Sequence, residues 1–165
     1  MPARAPRPPA LPGLDIDRWC TISPCGLYRY DLGERWAPGR LLVGCLLNPS
    51  TATAEIEDAT KTRWRWRARH LGAAGWAIVN PFAFRATQPW KLLAAIRAGV
   101  DVVGPANDEA ILRWAREASI FVAGWGAHAE RQALRPRIDD VVARLRGAGI
   151  AIHALRVTKG GHPEH

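Results

Sequence analysis

Leu41-Leu42-Val43-Gly44-Cys45-Leu46-Leu47-Asn48-Pro49-Ser50-Thr51 decides how the rest of the chain is read. An apolar run of strand length stops at Asn-Pro-Ser-Thr, and an Arg/Trp-rich stretch of helical character follows. Pro49 keeps Asn48 out of the helical region of backbone space, which puts the Asn48 carboxamide at the lip of a buried strand. Open α/β sheets bind their ligands there, in the crevice outside the carboxyl ends of the strands. Taken alone, Asn-Pro-Ser-Thr is equally well read as turn and helix-cap chemistry.

Working outward from this stretch, residues 54–72 read as a helix, with Glu55, Glu57 and Asp58 near its positive end and Gly72 closing it. Residues 76–80 form a second short apolar run that again ends in Asn-Pro. Residues 89–98 and 105–117 read as helices, the latter with Pro105 in its first turn. A third run, 119–123, ends in Gly124-Trp125-Gly126. A helix interrupted near Pro136 spans 127–147, and 150–155 is a fourth strand. Upstream, residues 19–36 read as a hairpin with turns at Ser23-Pro24 and Leu32-Gly33. Strands alternating with helices predict an α/β fold, a three-layer α/β/α sandwich around a central, mostly parallel four-stranded sheet. The expected organisation is a flexible basic tail over 1–13 and one domain over 14–165, with its core in 40–165.

With 165 residues and 48% hydrophobic content, the chain has room for a single substantial core. Its 20 arginines and three lysines face 15 acidic residues, giving a net charge of +8 and a pI near 10.4. That balance predicts a polyanionic partner, with nucleic acid first, and Arg is the better residue for planar bidentate phosphate contacts. Arg-rich composition without DNA contact is the plain alternative. Cys20, Cys25 and Cys45 are too few for a four-thiolate metal or iron–sulfur site, so no metal or cofactor is expected. Their odd number, with no signal peptide evident, reads as reduced and cytoplasmic. No apolar run approaches about 18 residues, so no membrane span is expected.

In a parallel sheet the four strand ends meet at one edge. Asn48-Pro49-Ser50-Thr51, Asn80-Pro81-Phe82, Gly124-Trp125-Gly126 and the segment Thr158-Lys159-Gly160-Gly161-His162-Pro163 would then line one cleft. These stations, in this order, resemble the uracil-DNA glycosylase superfamily. Leu46-Leu47-Asn48-Pro49-Ser50 is similar to the G-I-N-P-G station of mismatch-type glycosylases. Val79-Asn80-Pro81-Phe82 looks like the L-N station of the uracil-type enzymes. Ile120–Ala129 is similar to a V-F-x-x-W-G-x-x-A segment, and His162-Pro163-Glu164-His165 loosely matches H-P-S-P-L. The resemblance covers roughly residues 40–165. It departs at Ser50, where mismatch-type enzymes have glycine, and no Asp occupies the water-activating position of uracil-type enzymes.

The resemblance implies a monofunctional DNA glycosylase acting on a flipped-out base. Asn48 would orient the water, and His162 would donate to the departing base, a role worth about 3 kcal/mol. Asn80, with one donor and one acceptor, would read a pyrimidine edge. Phe82 would stack on the base, and Pro49 and Ser50 would complete the pocket. Asp58 is the nearest carboxylate that could activate the water, its plain alternative being a helix-dipole partner. His165 competes with His162 for the electrophile role, and His128 reads first as an exposed helix-start residue, with an approach to the cleft or a phosphate as its alternative. On the helix after the first station, Trp64 falls on the core face and Trp66 about opposite. Arg63 with Arg67, and Lys61 with Arg65 and Arg69, form cationic rows that either track phosphates or are simply solvated. Arg85, Lys159 and Thr51 are the other expected DNA contacts. No lysine sits at a nucleophile station, so no Schiff-base step is expected. The missing Asp points to a modified pyrimidine, with hypermodified cytosine of phage DNA and antiviral defence as the sharpest version. The expected partner is DNA, bound by a monomer; the alternatives are an inactive binding module of the same fold or a nucleoside or nucleotide N-glycosidase.

Overall fold

The computed structural model describes residues 16–50 and 59–164. Two antiparallel strands, β1 (Asp17–Ile22) and β2 (Arg29–Arg35), come first. The Ser23-Pro24 turn lies between them, whereas Leu32-Gly33 sits inside β2 rather than at a turn. Glycine is needed there, because a Cβ at Gly33 would lie 2.6 Å from the Trp76 carbonyl oxygen and run into the Trp19 ring. The third strand, β3 (Leu41–Leu46), leads to helix α1 (Ala59–His70) and then to β4 (Gly75–Val79). Helices α2 (Pro89–Arg97) and α3 (Asn107–Glu117) precede β5 (Ala118–Gly124). A 3-10 turn at Ala127–Glu130 and helix α4 (Arg135–Gly147) lead to β6 (Ile152–Ala154). The chain closes with a small hairpin, β7 (Arg156–Val157) against β8 (Pro163–Glu164).

The sheet has six strands in the order β1-β2-β4-β3-β5-β6. Its parallel part, β4-β3-β5-β6, is the set of four strands read from the sequence. The expectation of a four-stranded sheet is corrected by β2, which pairs antiparallel with β4 and carries the whole hairpin onto that edge. The physical reason is that β4 would otherwise present an unpaired row of backbone groups. The interrupted helix expected over 127–147 is a 3-10 turn followed by α4, and Pro136 stands in the first turn of α4, where its missing N–H is not needed. Among the described residues no helix is long and apolar enough to cross a membrane.

The continuous apolar run of β3 reflects burial on both faces. Leu41, Val43, Cys45 and Leu47 join a core with residues of α2, α3 and α4, while Leu42 and Leu46 join a second core with Trp64 and Ala68 of α1. Helices therefore cover both faces of the sheet, in three layers. Gly44 makes room for α1, since a Cβ there would lie 2.5 Å from the Trp64 indole. Trp64 is fully buried and Trp66 is exposed, as the helical period predicts.

Strand β2 contributes two buried carboxylates three residues apart, one serving each helical layer. Glu34 accepts from Arg65 of α1 (2.6 and 2.5 Å), from Trp76 Nε1 (3.0 Å) and from Arg18 (3.2 Å). Asp31 accepts from Arg113 (2.7 Å) and Trp114 Nε1 (2.8 Å) of α3. Burial pushes the Glu34 carboxyl upward, but the hydrogen bond and charge of Arg65, with the Trp76 and Arg18 donors, outweigh it and hold the group below its ordinary value.

Glu34→Gln should therefore destabilise the fold by about 3–5 kcal/mol in urea unfolding, because Arg65 is left beside a neutral group. The depressed folded-state value means that the stabilisation is present above the unfolded value of about 4.3 and is lost as pH falls through the folded one. Below pH 4.3 the wild type should lose stability more steeply than Glu34→Gln.

Candidate active site at the carboxyl edge of the sheet

Strands β3 and β5 are neighbours, yet the chain leaves them toward opposite faces, to α1 after β3 and to α4 after β5. Such a divergence opens a crevice at the carboxyl ends of the two strands. A cleft of about 450 Å³ lies there, lined by Asn48 and Ser50 after β3, Asn80 after β4, and Gly124-Trp125-Gly126 at the end of β5. That volume falls in the range of small-molecule sites.

The two carboxamides are held by backbone carbonyls. Asn48 Nδ2 donates to Ala86 O (2.7 Å) and Pro49 O (3.2 Å). Both partners are acceptors, so the nitrogen must face them, and the side-chain oxygen is the atom left to serve a ligand or water. Asn80 is buried, and its Nδ2 donates to Leu46 O (2.8 Å). Its Oδ1 is buried with no hydrogen-bond partner among the described residues. A buried acceptor without a donor costs free energy until something supplies one.

The Asn80-Pro81 loop is itself clamped from the far side. Asn107, fully buried at the start of α3, donates to Asn80 O (2.9 Å) and Pro81 O (3.0 Å). Arg137 of α4 adds a bond to Pro81 O (2.9 Å) and is held in turn by Asp108 (2.6 Å) and Asp140 (2.9 Å). Neither residue was singled out in the sequence. An Asn near a helix start reads there as ordinary capping chemistry, and no local pattern says that it turns inward.

Asn48, Ser50 and Asn80 stand together as the sequence predicts, and Pro49 is buried behind them with its carbonyl accepting from Ala86 N (2.9 Å). Phe82 does not join them. It packs into the core with Val79 and Leu92; Trp125 belongs to the same core but, unlike Phe82, also lines the cleft. His162 is also off the cleft wall. Its Nε2 lies 3.0 Å from Glu130 Oε1 and its backbone N–H donates to Thr158 Oγ1 (3.1 Å). His128 is exposed, as its favoured reading has it, and also lines the cleft, its alternative. Asp58, Thr51 and His165 lie outside the described residues.

The expected DNA contacts divide. Lys159 is exposed in the β7–β8 turn and Arg63 is exposed on α1. Arg85 is instead fastened to the β1–β2 turn, donating from its guanidinium to Gly26 O (3.0 Å) and from its backbone to Leu27 O (2.9 Å). Arg67 is half-buried, its guanidinium 6.0 Å over the Trp64 ring; burial first, and then the charge of Arg63, lowers its pKa. The row Lys61, Arg65, Arg69 is not a solvated phosphate track. Arg65 is bound to Glu34, Arg69 lies 5.1 Å over Trp36, and Lys61 is buried in the cleft wall. Arg29, Thr60 and Glu164 are further cleft residues that the sequence reading missed. Arg29 is buried at the start of β2, which the sequence placed in a separate hairpin, and Glu164 arrives only through the pairing of β7 with β8.

A family model described as "Protein of unknown function (DUF1643)" matches residues 29–165. No curated protein and no solved structure matches the chain.

The clamp on the Asn80 loop has a direct consequence. Asn107→Ala should lower stability by about 1–3 kcal/mol, because Asn80 O loses the Asn107 donor and Pro81 O is left with Arg137 alone. In a ¹⁵N-labelled protein it should also shift the Asn80 side-chain amide signals, while the Trp66 indole signal on the outer face of α1 stays in place.

Proposed function

We propose that this chain, which belongs to the DUF1643 family of proteins of unknown function, is a DNA glycosylase. It would hydrolyse the N-glycosidic bond of a flipped-out modified or damaged base and leave an abasic site. One observation carries the reading. Asn48 and Asn80 share a single cleft, and each has its amide nitrogen tied to a backbone carbonyl, so both oxygens are oriented before any ligand arrives. Catalysis by such a site rests on groups held in place for the transition state rather than on movement.

In this reading the base leaves its stack and enters the cleft. Trp125 offers the stacking face in place of Phe82, a contact worth about 1–3 kcal/mol. Asn80 Oδ1 accepts a hydrogen bond from an N–H of the base, which ends its own unsatisfied state. Asn48 Oδ1 accepts from a water and orients it toward C1′ of the sugar. As the C1′–N bond breaks, its electron pair moves onto the base, and His128 at the cleft rim donates to the base oxygen in place of His162. Lys159 and Arg63 contact phosphates of the flanking strand. The substrate favoured here remains a modified pyrimidine, with hypermodified cytosine in phage DNA and antiviral defence as its sharpest form. The protein would act as a monomer in the cytoplasm, with no cofactor.

A second reading is favoured by Arg29 and Lys61, which are buried in the cleft wall rather than spread along an outer track. Cations so placed suit a phosphate carried into the cleft, as on a free nucleotide, and imply a nucleotide N-glycosidase.

Incubation with natural and modified phage DNAs, followed by an abasic-site assay, tests the first reading. Abasic sites should form on at least one modified DNA, and Asn48→Ala should abolish them while leaving DNA affinity and the fold intact. Release of base from free nucleotides but not from DNA would favour the second reading. Tight, salt-sensitive DNA binding with no abasic product on any DNA would make the protein a binding module. If Asn48→Ala acts as fast as wild type, the water-orienting role is wrong.

A further inference from the structure

We propose that Glu164 supplies the negative charge of this site, facing the sugar as positive charge develops there and taking the proton of the attacking water. The proposal rests on the glycosylase reading and fills a gap in it. A carboxamide orients a water but has no useful basicity, so Asn48 cannot itself receive the proton. Among the described residues, Glu164 is the only carboxylate that lines the cleft. The other described acidic groups near the functional elements are engaged elsewhere: Asp31 and Glu34 under the helices, Asp108 and Asp140 on Arg137, Glu130 on His162.

The placement of Glu164 is built, and several bonds hold it. The two-stranded β7–β8 hairpin sets Arg156 opposite Glu164. Arg156 donates from Nε (3.0 Å) and from its terminal nitrogen (2.8 Å), both to Oε2 of Glu164. This fixes the side chain by one oxygen and leaves Oε1 as the second acceptor. The turn of the hairpin is closed by Thr158 N–H donating to His162 O (2.8 Å), with Gly161 at a positive φ that other residues rarely adopt. Gly126 N–H donates to Pro163 O (2.7 Å), and His162 meets Glu130. The hairpin is thereby fastened to Gly126 and to the 3-10 turn that follows it, through the two residues that precede the carboxylate. His162, expected from the sequence to act on the base, works here as part of that fastening.

The chemistry balances without any further reactant. The water oxygen forms a bond to C1′ as the C1′–N bond breaks and its electron pair leaves with the base. Glu164 receives the proton of the water, and the departing base acquires a proton from the medium. In the transition state the sugar is cationic and the base anionic. Glu164 stands opposite the first charge and the His128 donor opposite the second.

The test needs no knowledge of the excised base. The full chain is titrated with two oligonucleotides of identical sequence, one carrying a cationic pyrrolidine abasic analogue and the other a neutral tetrahydrofuran analogue. The wild type should bind the cationic form tighter by roughly 10²-fold, at the lower end of the range for transition-state mimics. Glu164→Gln keeps the size and an acceptor for Arg156, and should bring the ratio close to one. The ratio is the readout because removing any negative charge raises affinity for DNA in general. Arg156→Gln, which releases the side chain but keeps the carboxylate, should preserve most of the preference. Equal binding of both oligonucleotides by the wild type, or an undiminished preference in Glu164→Gln, overturns the proposal while leaving the glycosylase reading standing. Binding of neither oligonucleotide overturns both.

Discussion

Glu34 is a buried carboxylate in the strand that joins the hairpin to the parallel sheet, and the rest of the structure depends on how its charge is met. The side chain is 1% exposed, so the charge survives only because Arg65, Trp76 and Arg18 converge on it. Arg65 belongs to α1 and Trp76 to β4, so a single carboxylate sets helix, hairpin and parallel sheet in one register. Asp31 does the same on the opposite face through Arg113 and Trp114. Ion pairs of this kind are weak evidence for net stability, but removing one partner leaves a buried charge unmet. Their effect is to specify where α1 and α3 sit; α1 lines the cleft with Thr60 and Lys61, and α3 holds the Asn80-Pro81 loop through Asn107.

The same logic governs the site at a smaller scale. Where the strands end, backbone carbonyls lose their ladder partners and need donors from elsewhere. Three asparagines supply them: Asn48 to Ala86, Asn80 to Leu46, and Asn107 to Asn80 and Pro81. Each bond fixes which end of a carboxamide faces the backbone and hence which end is left over. The oxygens of Asn80 and Asn107 are both buried with no partner among the described residues, and of the two Asn80 lines the cleft. Loop stability and ligand recognition are thus two sides of the same group. The arrangement also explains why Asn80 differs from the reader predicted in the sequence, which used both donor and acceptor. Its structural bond commits one N–H to Leu46, and the acceptor is the atom whose need is unmet.

Much of the parallel core was legible in the sequence. The apolar runs 41–47 and 76–79, and 121–123 of the third run, are buried on both faces, and such runs carry their signal in hydrophobicity alone. The Asn-Pro boundaries then placed Asn48 and Asn80 at one edge, because proline acts locally and its effect needs no tertiary context. What was not legible depends on long-range pairing. That β2 would join β4 is a choice between edges, and nothing in 29–35 names its partner. Phe82 follows Asn80-Pro81 directly, and whether an aromatic there turns to the cleft or to the core is decided by the room left beside Leu92. The cationic rows of α1 looked uniform by spacing, yet Arg65 found Glu34 thirty-one residues away and Lys61 turned into the cleft wall. Glu164 and His162 were separated by the geometry of a two-residue strand pair, which lies below the resolution of any periodicity.

The central claim is that Asn48, Asn80 and Trp125 form one ligand cleft for a base drawn out of DNA. The most direct measurement is an NMR titration of the ¹⁵N-labelled chain with an oligonucleotide carrying one hypermodified cytosine, compared with the same sequence unmodified. The account predicts that the side-chain amide signals of Asn48 and Asn80 and the Trp125 indole signal move together, with one affinity, and respond more to the modified strand. Perturbation confined to Arg63, Trp66 and the outer face of α1, with the two carboxamides and Trp125 unmoved by either strand, would contradict it.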